Sequence, residues 1–207
     1  MVQKSATRRR GRPRGYDPEI ALQRATEAFW DAGFSGTSLD DLSTRTGMNR
    51  PSLYAAFGDK QGLYLKTLDG YIASRRALLA AALGSGRPLR GLLRDIYYRM
   101  LDLFLAGDRG ARGCYLVGTA ATEAVENREV REKLAGSVRE IDEVFRAAFA
   151  AAQGRGELGP RADPKALAMF AAAVVHTLAL RARAGQPRAL LRDVADSAVK
   201  LICESGR

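Results

Sequence analysis

Thr37-Ser38-Leu39-Asp40-Asp41-Leu42-Ser43-Thr44-Arg45-Thr46-Gly47-Met48-Asn49-Arg50-Pro51-Ser52-Leu53-Tyr54-Ala55-Ala56-Phe57 is the stretch that decides the fold. Ser38 with Asp41 three residues on has the pattern of a capping box, which opens a helix by satisfying its first amides. Leu39 and Leu42 supply an inward face, and Gly47 ends this helix after about two turns. Asn49 then caps a second short helix with Pro51 in its first turn, where proline's missing N–H costs nothing. Leu53 and Phe57 give that helix its apolar contacts. Two short helices broken at a glycine are the ingredients of a helix-turn-helix unit, whose second member enters the major groove of DNA.

Upstream, Asp17-Pro18-Glu19 is a helix start, followed by Ala21, Leu22, Ala25, Ala28, Phe29 and Ala32 at helical spacing and stopped by Gly33. Downstream, glycine-rich breaks at 84–86, 107–113, 154–160 and 185–187 delimit helices at about 61–83, 88–106, 115–126, 128–152, 163–184 and 188–204. With the first three these make about nine, and no stretch of strand alternation competes. The expected fold is all-α.

Net charge is +10, and its distribution is uneven. Lys4, Arg8, Arg9, Arg10, Arg12 and Arg14 put +6 into residues 1–15, whereas residues 16–60 carry −3 and residues 61–207 carry +7. A concentrated basic arm ahead of a slightly acidic unit suits a tether for phosphates, although a solubilising tail has the same composition. Within it, Arg10-Gly11-Arg12-Pro13 resembles the core of an AT-hook, in which arginines flanking a bare glycine lie in the narrow minor groove of A·T-rich DNA. The chain is expected to divide into this arm (1–15), a helix-turn-helix unit (16–60) and a larger helical part (61–207).

Helical geometry aims Arg50, Pro51, Ser52 and Tyr54 outward and Leu53 inward. Arg50 is the foremost base-reading candidate, because a guanidinium bonds bidentately to guanine O6 and N7.

Thr37 to Leu42, Gly47, Asn49 to Tyr54, Phe57 and Lys60-Gln61-Gly62-Leu63 together resemble the signature of the TetR family of bacterial transcriptional regulators. The resemblance covers Tyr16 to about Leu68. It implies an all-α homodimer with an amino-terminal DNA-binding domain and a larger domain that dimerises and binds a small effector. It also implies that Asn49, Arg50, Pro51, Ser52 and Tyr54 belong to the recognition region. Thr37 and Ser38 match contacts to the DNA backbone at the start of the second helix, and Lys60 matches the lysine opening the fourth. Ala55 and Ala56 stand where the family often carries an aromatic or histidine, so fewer side chains reach the duplex here.

The last two helices supply the expected dimer interface, through Ala166, Ala168, Ala171, Ala172, Ala173, Ala179, Val194, Ala195, Ala198, Val199, Leu201 and Ile202. Candidates for an effector pocket are Tyr97, Met100, Leu101, Phe104, Cys114, Tyr115, Val117, Phe145, Phe149, Met169, Phe170 and His176; such residues serve equally as plain core. Cys114 opens a helix beside Arg112, a setting that lowers a thiol pKa and suits electrophile or redox sensing, and an inert buried thiol is the favoured alternative.

A single histidine, and two cysteines outside any CxxC pair, exclude a multi-histidine metal centre and a disulfide framework; no cofactor is expected. The apolar run 166–180 is shorter than a membrane span needs, and reads as a buried helix in a cytoplasmic protein. Two other functions compete with a ligand-released repressor: a helical enzyme working through His176 or Cys114, and a protein-binding adaptor with a non-specific basic tail. The enzyme has no acid or second base of diagnostic spacing, and the adaptor would show no preferred DNA sequence.

Overall fold

A computed structural model describes residues 17–107 and 110–205, and among them every regular element is helical. The amino-terminal unit comprises α1 (Pro18–Ala32), α2 (Leu39–Thr46) and α3 (Arg50–Phe57), and α4 (Lys60–Leu83) runs from it into the larger part. There follow α5 (Leu89–Leu105), a π-helical turn (Leu116–Ala120) leading into α6 (Ala121–Glu123), then α7 (Arg128–Gly154), α8 (Pro164–Arg183) and α9 (Arg188–Ser205).

Local chemistry accounts for the helix starts. Asp17, Asn49, Asp59, Asn127 and Asp163 each accept a first-turn amide, and Ser38 with Asp41 completes a capping box. Each such cap contributes about 1 kcal/mol. Gly47 adopts φ 70° and ψ 15°, a left-handed conformation that a side chain resists, and this sets the turn between α2 and α3. Behind that turn Ala21, Ala25, Ala28 and Phe29 of α1 are buried, with the Phe29 ring edge-on to Tyr64 of α4 at 5.1 Å.

The larger part is a bundle in which α8 packs against α5, α7 and α9. Tyr97, Phe104, Phe145 and Phe149 are fully buried, and Tyr97 donates its hydroxyl to the Ala171 carbonyl at 3.3 Å. By length and composition α8 could cross a membrane, but here Ala168, Ala171, Ala172, Val175, Leu178 and Ala179 are buried within the bundle.

Two expectations need correction. The segment 115–126 is not one α-helix. It opens with the π-helical turn and stops at Glu123. Within the wide turn the Thr119 hydroxyl bonds back to the Tyr115 carbonyl at 2.8 Å, and both side chains reach α4. Just before it, Gly113 at φ 68° lies so close to α8 that a Cβ would stand 2.6 Å from the Ala179 carbonyl oxygen.

The second correction concerns the small-residue stripe assigned to a dimer interface. Ala168, Ala171, Ala172, Ala179, Ala195, Ala198, Val199 and Ile202 are buried inside this single chain, where they allow close helix approach. Of the expected set, Ala166, Ala173 and Leu201 are exposed and Val194 is half-buried. The outward apolar strip is completed by Met169, Phe170, Leu180 and Leu190.

Candidate nucleic-acid interface and internal cavity

The pairing of α2 with α3 leaves the first turn of α3 facing solvent. Arg50 and Pro51 are exposed, Tyr54 is 47% exposed and Ser52 half-buried, while Leu53 and Phe57 fill the contact beneath. Arg50 forms a two-pronged ion pair with Asp40 of α2, Nε to Oδ1 at 3.0 Å and Nη2 to Oδ2 at 2.6 Å. Asn49 spends its amide oxygen on the α3 cap, accepting from the Ser52 amide at 2.9 Å. Ser38 is exposed at the head of α2, and its hydroxyl and amide hold the Asp41 carboxyl below the usual carboxylate range.

Thr37 departs from the expected backbone contacts. Thr37 is only 2% exposed, and its hydroxyl donates to the Gly33 and Ala28 carbonyls. It ties α1 to α2 and offers nothing to a phosphate. The Lys60 ammonium lies 4.4 Å from the centroid of the Phe34 ring, where partial burial lowers its proton affinity. Arg10 and Arg12 lie outside the described residues.

Lys66 was not singled out from the sequence. Its ammonium sits 5.2 Å over the Phe57 ring and donates to the Ala56 carbonyl, placing a cation at the carboxy-terminal end of α3. A lysine on the α4 surface carries no sequence signal for that role.

The larger part holds a partly open cavity of about 170 Å³. Met100, Phe104, Cys114, Val117 and His176 of the expected pocket set line it, and so does Arg75, which the sequence reading passed over. The other candidates are elsewhere. Tyr97, Leu101, Phe145 and Phe149 are packed in the bundle interior without forming the cavity wall. Met169 and Phe170 are 58% and 50% exposed on the outer side of α8.

Tyr115 belongs to an aromatic cluster with Trp30, Tyr64 and Tyr71 that joins α1 and α4 to the π-helical turn. Its hydroxyl pairs with Thr67 at 2.7 Å, and Tyr64 pairs with Thr119 at 2.8 Å. Burial dominates the titration of these phenols, pushing Tyr64 up to about 12 and Tyr115 well above its ordinary range.

On the cavity wall, Cys114 is buried and its sulfur accepts a hydrogen bond from the Tyr71 hydroxyl at 3.3 Å. His176 is held below its ordinary pKa first by burial and then by the nearby Arg75 charge, with Asp142 opposing. Burial and the Arg75 charge both favour the neutral imidazole.

A capped pair of short helices with an exposed second member, carried on a helical bundle with an internal cavity, defines a helix-turn-helix protein of the bacterial regulator type. Residues 21–67 match the family described as "Bacterial regulatory proteins, tetR family", and residues 92–197 match "Tetracyclin repressor-like, C-terminal domain". The HTH-type transcriptional repressor ComR of Escherichia coli (strain K12) is 30% identical over 93% of this chain and 91% of its own. BdcR of the same strain, also an HTH-type transcriptional repressor, is 34% identical over 56% of this chain and 59% of its own. Among solved structures, a cysteine mutant of the TetR-family regulator CifR, complexed with 26-bp double-strand operator DNA, superposes with a TM-score of 0.79. It has 32% identity and covers 91% of this chain and 98% of that one.

The chain belongs to the TetR family of transcriptional regulators. It is a DNA-binding regulator of transcription.

Proposed function

We propose that the chain represses transcription by holding a palindromic operator as a homodimer, and that a small effector in the internal cavity releases it. The observation that carries this reading is the placement of α4. One end of α4 packs beneath the exposed α3, and further along the same helix Tyr71 bonds Cys114 on the cavity wall. Tyr71 also stacks edge-on against Trp30 of α1 at 5.2 Å. An effector that moves the wall therefore has a packed route to the reading head, and one that favours wrongly spaced heads lowers operator affinity.

In this reading Arg50, Pro51, Ser52 and Tyr54 face the major groove, with Asn49 and Ser38 at helix starts near the phosphates. The arginine arm, through Arg10 and Arg12, follows the minor groove. The partner subunit covers the outward strip of Met169, Phe170, Leu180, Val194 and Leu201, since two linked heads are what a palindrome requires. That strip flanks an open apolar groove of about 560 Å³ between α8 and α9. No residue is given a catalytic role, and the site of action is the cytoplasm, where the DNA is. Selecting bound sequences from random duplex with the full chain tests the reading: an inverted repeat supports it, and recovery of no preferred sequence defeats it.

A further inference from the structure

We infer that the internal cavity takes small carboxylic acids as their anions, with Arg75 as the anion-binding residue and His176 as a second polar contact. The inference rests on the reading above that this cavity is the effector site.

Arg75 is 4% exposed and carries a cationic guanidinium. Burying such a charge is costly unless it is paired, and here the pairing is incomplete. Its Nη2 donates to the neutral Ser137 carbonyl at 3.1 Å, and the nearest carboxylate oxygen, from Glu140, is 3.6 Å away. The other Glu140 oxygen is bonded by Arg76, so one carboxylate serves two guanidinium groups. The Nε of Arg75 is sealed from solvent and has no hydrogen-bond partner. Arg75 lines the cavity, so an anionic group entering there meets an under-paired guanidinium.

The remainder of the wall suits a short apolar body. Met100, Phe104, Val117, Ile141 and Val175 contribute apolar surface, and His176 adds an imidazole close enough to feel the Arg75 charge. A neutral imidazole can donate one N–H to a carboxylate oxygen. At about 170 Å³ the space falls below the 300–1,000 Å³ typical of pockets for drug-sized ligands, which favours a compact acid. The same guanidinium repels cationic ligands.

The test is titration of the full chain with hexanoate and benzoate against hexanamide and benzamide, followed by Trp30 fluorescence and by thermal shift. Each amide keeps the shape of its acid and removes the charge. The expected result is saturable binding of at least one acid, at least tenfold tighter than its amide, with the preference falling to near unity in Arg75→Gln. Equal binding of acid and amide, binding of neither acid, or an unchanged preference in folded Arg75→Gln overturns the assignment. Should Arg75→Gln fail to fold by circular dichroism, the wild-type acid-to-amide ratio decides alone. Operator binding by the same preparation is measured separately. Its loss would defeat the regulator reading with acid binding intact, whereas equal binding of acid and amide with operator binding intact would defeat only the carboxylate assignment.

Discussion

Arg50 grips Asp40 through both Nε and Nη2, at 3.0 and 2.6 Å, so the side chain of α3 proposed to read bases is tied to α2 in the unbound chain. Both groups are largely exposed, and the pair contributes little to stability. Its consequence lies in recognition. A guanine edge offers two acceptors in the same planar geometry as a carboxylate, so the guanidinium can exchange one partner for the other.

Arg50→Ala is expected to weaken binding to the selected operator roughly tenfold or more, and binding to random duplex by a clearly smaller factor, since only the Coulomb part of its contribution is shared by every sequence. Fluorescence anisotropy on both duplexes checks it. Equal losses on the two would mark Arg50 as a phosphate contact instead.

Asp40→Asn removes a negative charge from the DNA-facing side and frees Arg50. Affinity should rise several-fold for any duplex, most strongly at low salt, because Coulomb repulsion of phosphates is relieved. A fall in affinity would show that Asp40 orients Arg50 for reading.

Thr119→Val leaves the buried Tyr64 hydroxyl without its partner and should destabilise the chain by about 1–3 kcal/mol in urea unfolding. Adding Tyr64→Phe should recover part of that loss, since no unsatisfied group then remains. A double variant as unstable as the sum of the two singles would deny the coupling.

Leu201→Asp and Phe170→Glu place charges on the outward strip of α9 and α8. Light scattering should show folded monomers with wild-type helicity, and operator affinity should collapse because one head reads half a site. Persistent dimers would move the interface elsewhere.

His176 should titrate below its ordinary value of 6.5, because burial and Arg75 both disfavour the imidazolium. The fold therefore favours the neutral ring. The associated stability is present above pH 6.5 and lost as pH falls through the depressed value. Carbon-13 resonances of the ring report the midpoint, and a midpoint at or above 6.5 would contradict this environment.

The head of the molecule was legible because its determinants are local. Ser38, Asp41, Gly47, Asn49 and Pro51 fix caps and turns within a few residues, and each sits in the structure as its chemistry directs. The interior was harder to read because helical spacing tells which residues are buried, not what they are buried against. Tyr97 and Phe145 share the apolar pattern of Met100 and Phe104, yet only the latter two reach the cavity. The alanines of α8 read as an interface between chains, with burial inside one as the alternative; Ala168 and Ala172 are buried within the single chain, where α8 packs against α7. Arg75 escaped notice because beside Arg76 it looks like part of a solvated charge pair; only the tertiary fold shows that one of the two is buried. The arm that holds Arg10 and Arg12 lies outside the described residues.

Guanine-N7 methylation interference on the selected operator tests most directly that α3 reads the major groove in two copies. Premethylation of guanines in both half-sites should block the wild-type chain, and Arg50→Ala should lose that sensitivity at the same guanines. Binding indifferent to N7 methylation throughout the site, or an identical interference pattern in the two proteins, would contradict the account.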